Sequence, residues 1–115
     1  MTTWDALVQA VKDAGHFCQF RTVGGVRNLQ CISHRSRDGC LYGKQCHVFL
    51  DGADRWHVTV FGEKTYRIPD PLSVAALCVD LMREMDSNLR IPESVIARYG
   101  LILTGDPRFE RDEQE

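Results

Sequence analysis

At 115 residues, with 43% hydrophobic and 26% charged side chains, the chain suits one ordinary globular domain and leaves little room for a second core. A formal net charge of −2 excludes an overall electrostatic pull toward nucleic acid or anionic membrane. No apolar run approaches the roughly 18 residues of a membrane-spanning helix, Met1-Thr2-Thr3-Trp4-Asp5 lacks the basic head of a secretion signal, and the five cysteines spell no disulfide framework, so a reducing cytoplasm is the expected compartment.

The first predicted element is a helix. Thr2 or Thr3 can cap it, and Asp5 sits in its first turn, where the helix dipole favours negative charge. Trp4, Leu7, Val8 and Val11 recur at helical spacing as one apolar stripe, and Gly15 stands where a left-handed residue ends a helix.

Two strands follow, at 16–23 and 26–34, joined by Gly24-Gly25. A two-residue turn with positive φ at both central positions places Val23 opposite Val26, Phe20 opposite Leu29 and Cys18 opposite Cys31. Strands at 46–50 and 55–61 flank Asp51-Gly52-Ala53-Asp54, and a fifth at 65–68 follows Gly62-Glu63-Lys64. Trp56, Val58 and Val60 alternate with His57, Thr59 and Phe61, and with Tyr66 and Ile68 they mark the core face. The opposite face carries His47, Phe49, His57, Thr59, Phe61, Thr65 and Arg67, half polar and half aromatic.

Asp70-Pro71 opens a second, longer helix, with the cap and N1 residues that helix starts prefer. No charge appears from Leu72 to Val79. Leu72, Ala75, Ala76 and Val79 take one side, and Val74, Leu77, Cys78 and Leu81 take the other, so more than one side must be covered. A short helix at 92–99 ends at Gly100, and the apolar run 101–103 can cover the second helix or add a strand. The expected architecture is α+β. It has a mainly antiparallel sheet of about five strands, an N-terminal and a long helix on one face, and a short C-terminal helix. Residues 1–105 form the domain, and 106–115 are a charged, flexible tail.

Catalytic chemistry is not written in this chain. GxGxxG, GxxxxGK[ST], GxSxG and HExxH are all missing from the sequence, and Asp51, Asp54, Glu63 and Asp70 have local turn or cap roles. The segment 33–45 reads as the longest loop, with Arg35, Arg37, Tyr42 and Lys44 as its binding candidates for phosphate or carboxylate. A zinc site from Cys31, His34, Cys40, Cys46 and His47 is weighed and set aside. No CxxC pair exists, and adjacent Cys46 and His47 point to opposite faces of a strand. Neither metal nor cofactor is expected.

The favoured reading is a non-enzymatic protein-binding module of adaptor or inhibitor type that forms a homodimer. Its interface candidates are Phe49, Phe61, His47, His57, Val74, Leu77 and Leu81, taken as surplus apolar surface. The rival is a small-ligand binder or enzyme using the 33–45 loop with His47 or His57. Nucleic-acid binding through Arg35, Arg37, Lys44 and Arg55 ranks below both.

Overall fold

The computed structural model describes residues 3–60, 64–85 and 90–108. Its centre is an antiparallel sheet in which six strands follow one another in chain order: β1 (Phe17–Val23), β2 (Val26–Arg35), β3 (Leu41–Leu50), β4 (Trp56–Thr59), β5 (Thr65–Ile68) and β6 (Ile102–Thr104). The sixth corrects the expected count of about five, because the run after Gly100 pairs with β5 through Thr65↔Thr104 and Arg67↔Ile102.

The first hairpin has the anticipated register, with Val23↔Val26, Phe20↔Leu29 and Cys18↔Cys31. Gly24 and Gly25 take φ 58° and 77°, the paired positive values that a two-residue turn demands. Gly24 is doubly constrained, since a Cβ there would sit 2.6 Å from the Arg108 carbonyl oxygen.

Helix α1 (Trp4–Asp13) starts at Thr3, whose side chain accepts a hydrogen bond from the Ala6 amide, and it buries Leu7 and Val11. Asp70 accepts from the Leu72 amide and starts a single 3-10 turn (Pro71–Ser73) that runs into α2 (Val74–Glu84). Helix α3 (Glu93–Tyr99) ends at Gly100 in the left-handed conformation. It is tied to α2 by Arg98, which reaches Asp80 at 2.9 Å and Glu84 at 2.6 Å. Tyr99 also donates to Asp80.

One core forms between the first sheet face and the helices. It joins Leu7 and Val11 to Leu29, Val48, Trp56, Val58, Val60 and Ile68, and closes with Val74, Leu77, Leu81, Met82 and Val95. Trp4 extends this core outward, edge-on to Trp56 at 4.9 Å and to Phe20 at 5.5 Å.

Two expectations are overturned. Segment 33–45 is not a long loop: β2 and β3 continue through most of it, and only 36–40 turns. Ser36 and Asp38 side chains receive the Cys40 amide, and the Ser36 amide donates to the Cys40 carbonyl. Gly43, at φ 97°, is required where the strand pairing shifts, because a Cβ there would meet Ser33 Oγ at 2.5 Å. The first three residues of the segment expected as a tail are part of the packed domain. Residues 106–108 pack on the second sheet face, with Arg108 buried; 109–115 lie outside the described residues.

Trp56 is 5% exposed. Trp56→Ala is expected to cost about 3–5 kcal/mol in denaturant unfolding, while Leu72→Ala, at a side chain 67% exposed, should change stability by less than about 0.5 kcal/mol.

Candidate functional site

The interface proposed from sequence is largely interior. Val74, Leu77 and Leu81 have no exposed surface, because they are the side of α2 that faces the sheet. The opposite side, with Leu72 and Ala76 exposed, is the one left to solvent. Phe49 is likewise fully buried and His57 is 3% exposed, so neither can be offered to a partner. His47 is half-buried, and Phe61 lies outside the described residues.

Phe49 and His57 are covered because the second sheet face has its own roof. Register aligns Arg21, Asn28, Phe49, His57, Arg67 and Ile102 in one row across all six strands. Arg108 crosses this row. Its guanidinium lies 4.5 Å from the Phe49 ring centre, donates to Asn28 Oδ1 at 2.7 Å, and pairs with Asp106 at 2.6 Å. His57 stacks on Phe49 at 5.2 Å and donates from Nε2 to Asp51 Oδ2 at 2.7 Å. Beside them Gln19, Gln30 and Gln45 link three strands by amide hydrogen bonds of 2.8 and 2.6 Å.

Asp51 anchors the β3–β4 turn. Burial would raise its pKa, but hydrogen bonds from His57, from the Arg55 and Ala53 amides and from the Arg55 side chain outweigh burial and hold the carboxyl far below its usual range. Burial, foremost, also holds His47 below the ordinary histidine value, with Arg108 and Arg21 adding to the effect. An Asp–His pair exists, then, but with side chains 6% and 4% exposed it is a structural brace closed to substrate.

The basic candidates separate. Arg35, Arg37 and Tyr42 ride on the outer part of the β2–β3 hairpin, where Tyr42 is 51% exposed and stacks on His34 at 5.3 Å. Lys44 turns inward to the Arg83 carbonyl at 3.2 Å. Arg55 sits beyond the other end of β3, paired to Asp51, so these four cations make no continuous basic stripe. A cavity of about 490 Å³ opens between the sheet and α3, lined by Val60, Tyr66, Ile91 and Ile96 together with Lys64 and Arg90. Neither the histidines nor segment 33–45 line it.

Two arrangements escaped the sequence reading. The first is the outer edge of β1. No strand pairs with it among the described residues, and its register with β2 runs unbroken over seven residues. At its centre Phe20 is 40% exposed, with the Arg27 guanidinium 3.7 Å from its ring centre and Trp4 behind it. The second is a thiol cluster. Cys31 and Cys46 pair across β2 and β3, and Cys78 of α2 joins them in the core. Hydrogen bonding to Cys46 and Cys78, reinforced by burial, pushes the Cys31 thiol well up. His34 and Cys40 of the zinc set weighed from sequence lie out on the hairpin, away from this cluster. The helical period grouped Cys78 with Val74, Leu77 and Leu81, the side that the structure turns to the sheet, and that grouping was the available signal.

Comparison of the chain with family models, curated proteins and solved structures returned no match.

The Asp51 brace has a testable sign. Its folded pKa lies below the unfolded value of about 3.9, so its stabilisation is complete above that value and drains away as pH falls toward the folded pKa. Urea unfolding at stepped pH should show Asp51→Asn flattening the acid-side loss of stability. At neutral pH the substitution should cost about 1–3 kcal/mol. An unchanged acid slope would mean that Asp51 is not the group responsible.

Proposed function

We propose that this chain is a non-enzymatic, adaptor- or inhibitor-type protein-binding module that forms a homodimer by joining the edge of β1 to the same edge of a second copy. The carrying observation is that β1 is long, regular and unpartnered on its outer side among the described residues. Such edges template strand addition, and proteins blunt them with bulges, prolines, inward charges or short strands unless the edge is used. Strand β1 carries no proline and no bulge, and Arg21 is its only charge. At the other end of the sheet β6 is only three residues long.

The edge is also self-complementary. In an antiparallel pairing centred on Phe20, Cys18 faces Thr22 and Gln19 faces Arg21, so no like charges oppose one another. Phe20 meets its own copy at the two-fold axis, flanked by Arg27 and backed by Trp4, the residue types that concentrate binding energy at interface centres. A reducing cytoplasm suits the exposed Cys40 thiol and the unbridged core cysteines.

The enzyme reading has less behind it. His57 is sealed between Phe49 and Asp51, and the described cavity contains neither it nor His47. Nucleic-acid binding loses its stripe for the reason given above.

Sedimentation of the reduced protein at rising micromolar concentration should show a monomer–dimer equilibrium. Phe20→Lys places two ammonium groups face to face at the axis and should leave a monomer at every concentration, with its thermal midpoint close to that of the parent. A parent that stays monomeric throughout, or a variant that dimerises as well as the parent, overturns the edge-to-edge dimer.

A further inference from the structure

Four of the chain's five cysteines meet on one patch of the core face. Cys18, Cys31 and Cys46 follow one another in register across β1, β2 and β3, and Cys78 comes onto the last two from α2. The Sγ atoms of Cys31, Cys46 and Cys78 lie within 4.8 Å of one another, and all three residues have no exposed surface. We propose that this trio is a binding site for a soft, filled-shell metal ion of the Zn(II), Cd(II) and Cu(I) class, held by sulfur alone.

The geometry is close to what such an ion needs. An ion at the usual zinc–sulfur distance of about 2.3 Å, in the plane of three sulfurs, sets them about 4.0 Å apart. Every separation is within 4.8 Å, so no pair of sulfurs has to close by more than about 0.8 Å. The ligands ride on two adjacent central strands and a packed helix, rigid elements that fix a site better than loops do. Sulfur-only coordination selects this class over magnesium or calcium, which take oxygen.

Packing alone accounts poorly for the pattern. A buried cysteine can serve as a small hydrophobe, yet this core face otherwise uses Leu29, Val48, Val58 and Val60, and its fully buried thiols stand only where β2, β3 and α2 converge. Cys18 supplies the way in. It is half-buried on the edge strand and is the register partner of Cys31, so an ion captured there passes inward by exchange between sulfurs. Each thiol that becomes a ligand thiolate gives its proton to solvent, and no electron moves. None of the three ligands belongs to the β1 edge, so this site stands whether or not the dimer does.

The test uses the reduced full-length chain under anaerobic conditions, titrated with Cd(II) and, separately, Zn(II). One equivalent should bind to the folded protein, with thiolate-to-metal charge-transfer absorption for Cd(II) and a raised thermal midpoint. X-ray absorption of the zinc form should give a sulfur-only shell at about 2.3 Å. Cys40→Ser should bind as the parent does, and Cys18→Ser should bind one equivalent more slowly. Cys46→Ala and Cys78→Ala should lose the sulfur-only site. If those two fail to fold, the parent's absorption spectrum still decides. Nitrogen or oxygen in the shell, or no stoichiometric uptake by the folded chain, overturns the proposal, and uptake by Cys18→Ser as fast as the parent's removes Cys18 as the way in.

Discussion

The hydrogen bond from Arg108 to Asn28, 2.7 Å long and buried, closes the second face of the sheet. Among the described residues, helices cover only the first face. A six-stranded sheet with Phe49, Ile32 and His57 on its other side must hide that side too, and the chain does it with a segment rather than a helix. Arg108 is suited to this because a guanidinium can lie flat on an aromatic ring while its edge hydrogen-bonds. Here it covers Phe49, pairs with Asp106 and satisfies Asn28 at once. Gly24 allows the segment to come close, since its missing Cβ leaves room for the Arg108 carbonyl.

Closing both faces determines which backbone groups of the sheet remain open. Phe49 and His57, which look like surplus surface in the sequence, are spent inside the chain, on Arg108 and on the Asp51–His57 brace. What is left unpaired among the described residues is the sheet's edge. Of its two ends, β6 is short and β1 is long, so bonding capacity collects along Phe17–Val23. Trp4 connects that edge to the core through its contacts with both Phe20 and Trp56, so the exposed aromatic is held firmly rather than loosely.

Local chemistry was legible in the sequence wherever one residue type had one job. Gly24-Gly25 set the β1–β2 register, Asp70 and Pro71 marked the start of the second helix, and the alternation of Trp56, Val58 and Val60 identified the core face. What stayed hidden depends on partners far apart in the chain. Arg108 and Asn28 are 80 positions apart, and nothing near either one announces the other. The β2–β3 hairpin was misread because Ser, Gly and Arg between 33 and 45 resemble a loop, although Gly43 marks only a shift in pairing. The thiol cluster was half visible: the register brought Cys18 to Cys31, but Cys78 needed the third dimension.

Among the described residues the sheet has both faces filled and one long edge open. Amide hydrogen exchange, followed at dilute and concentrated protein, tests this most directly. The outward amides of Phe17–Val23 should gain protection as concentration rises, while those of Ile102–Thr104 should not change. Exchange in β1 that is indifferent to concentration, or protection that grows at β6 instead, would contradict it.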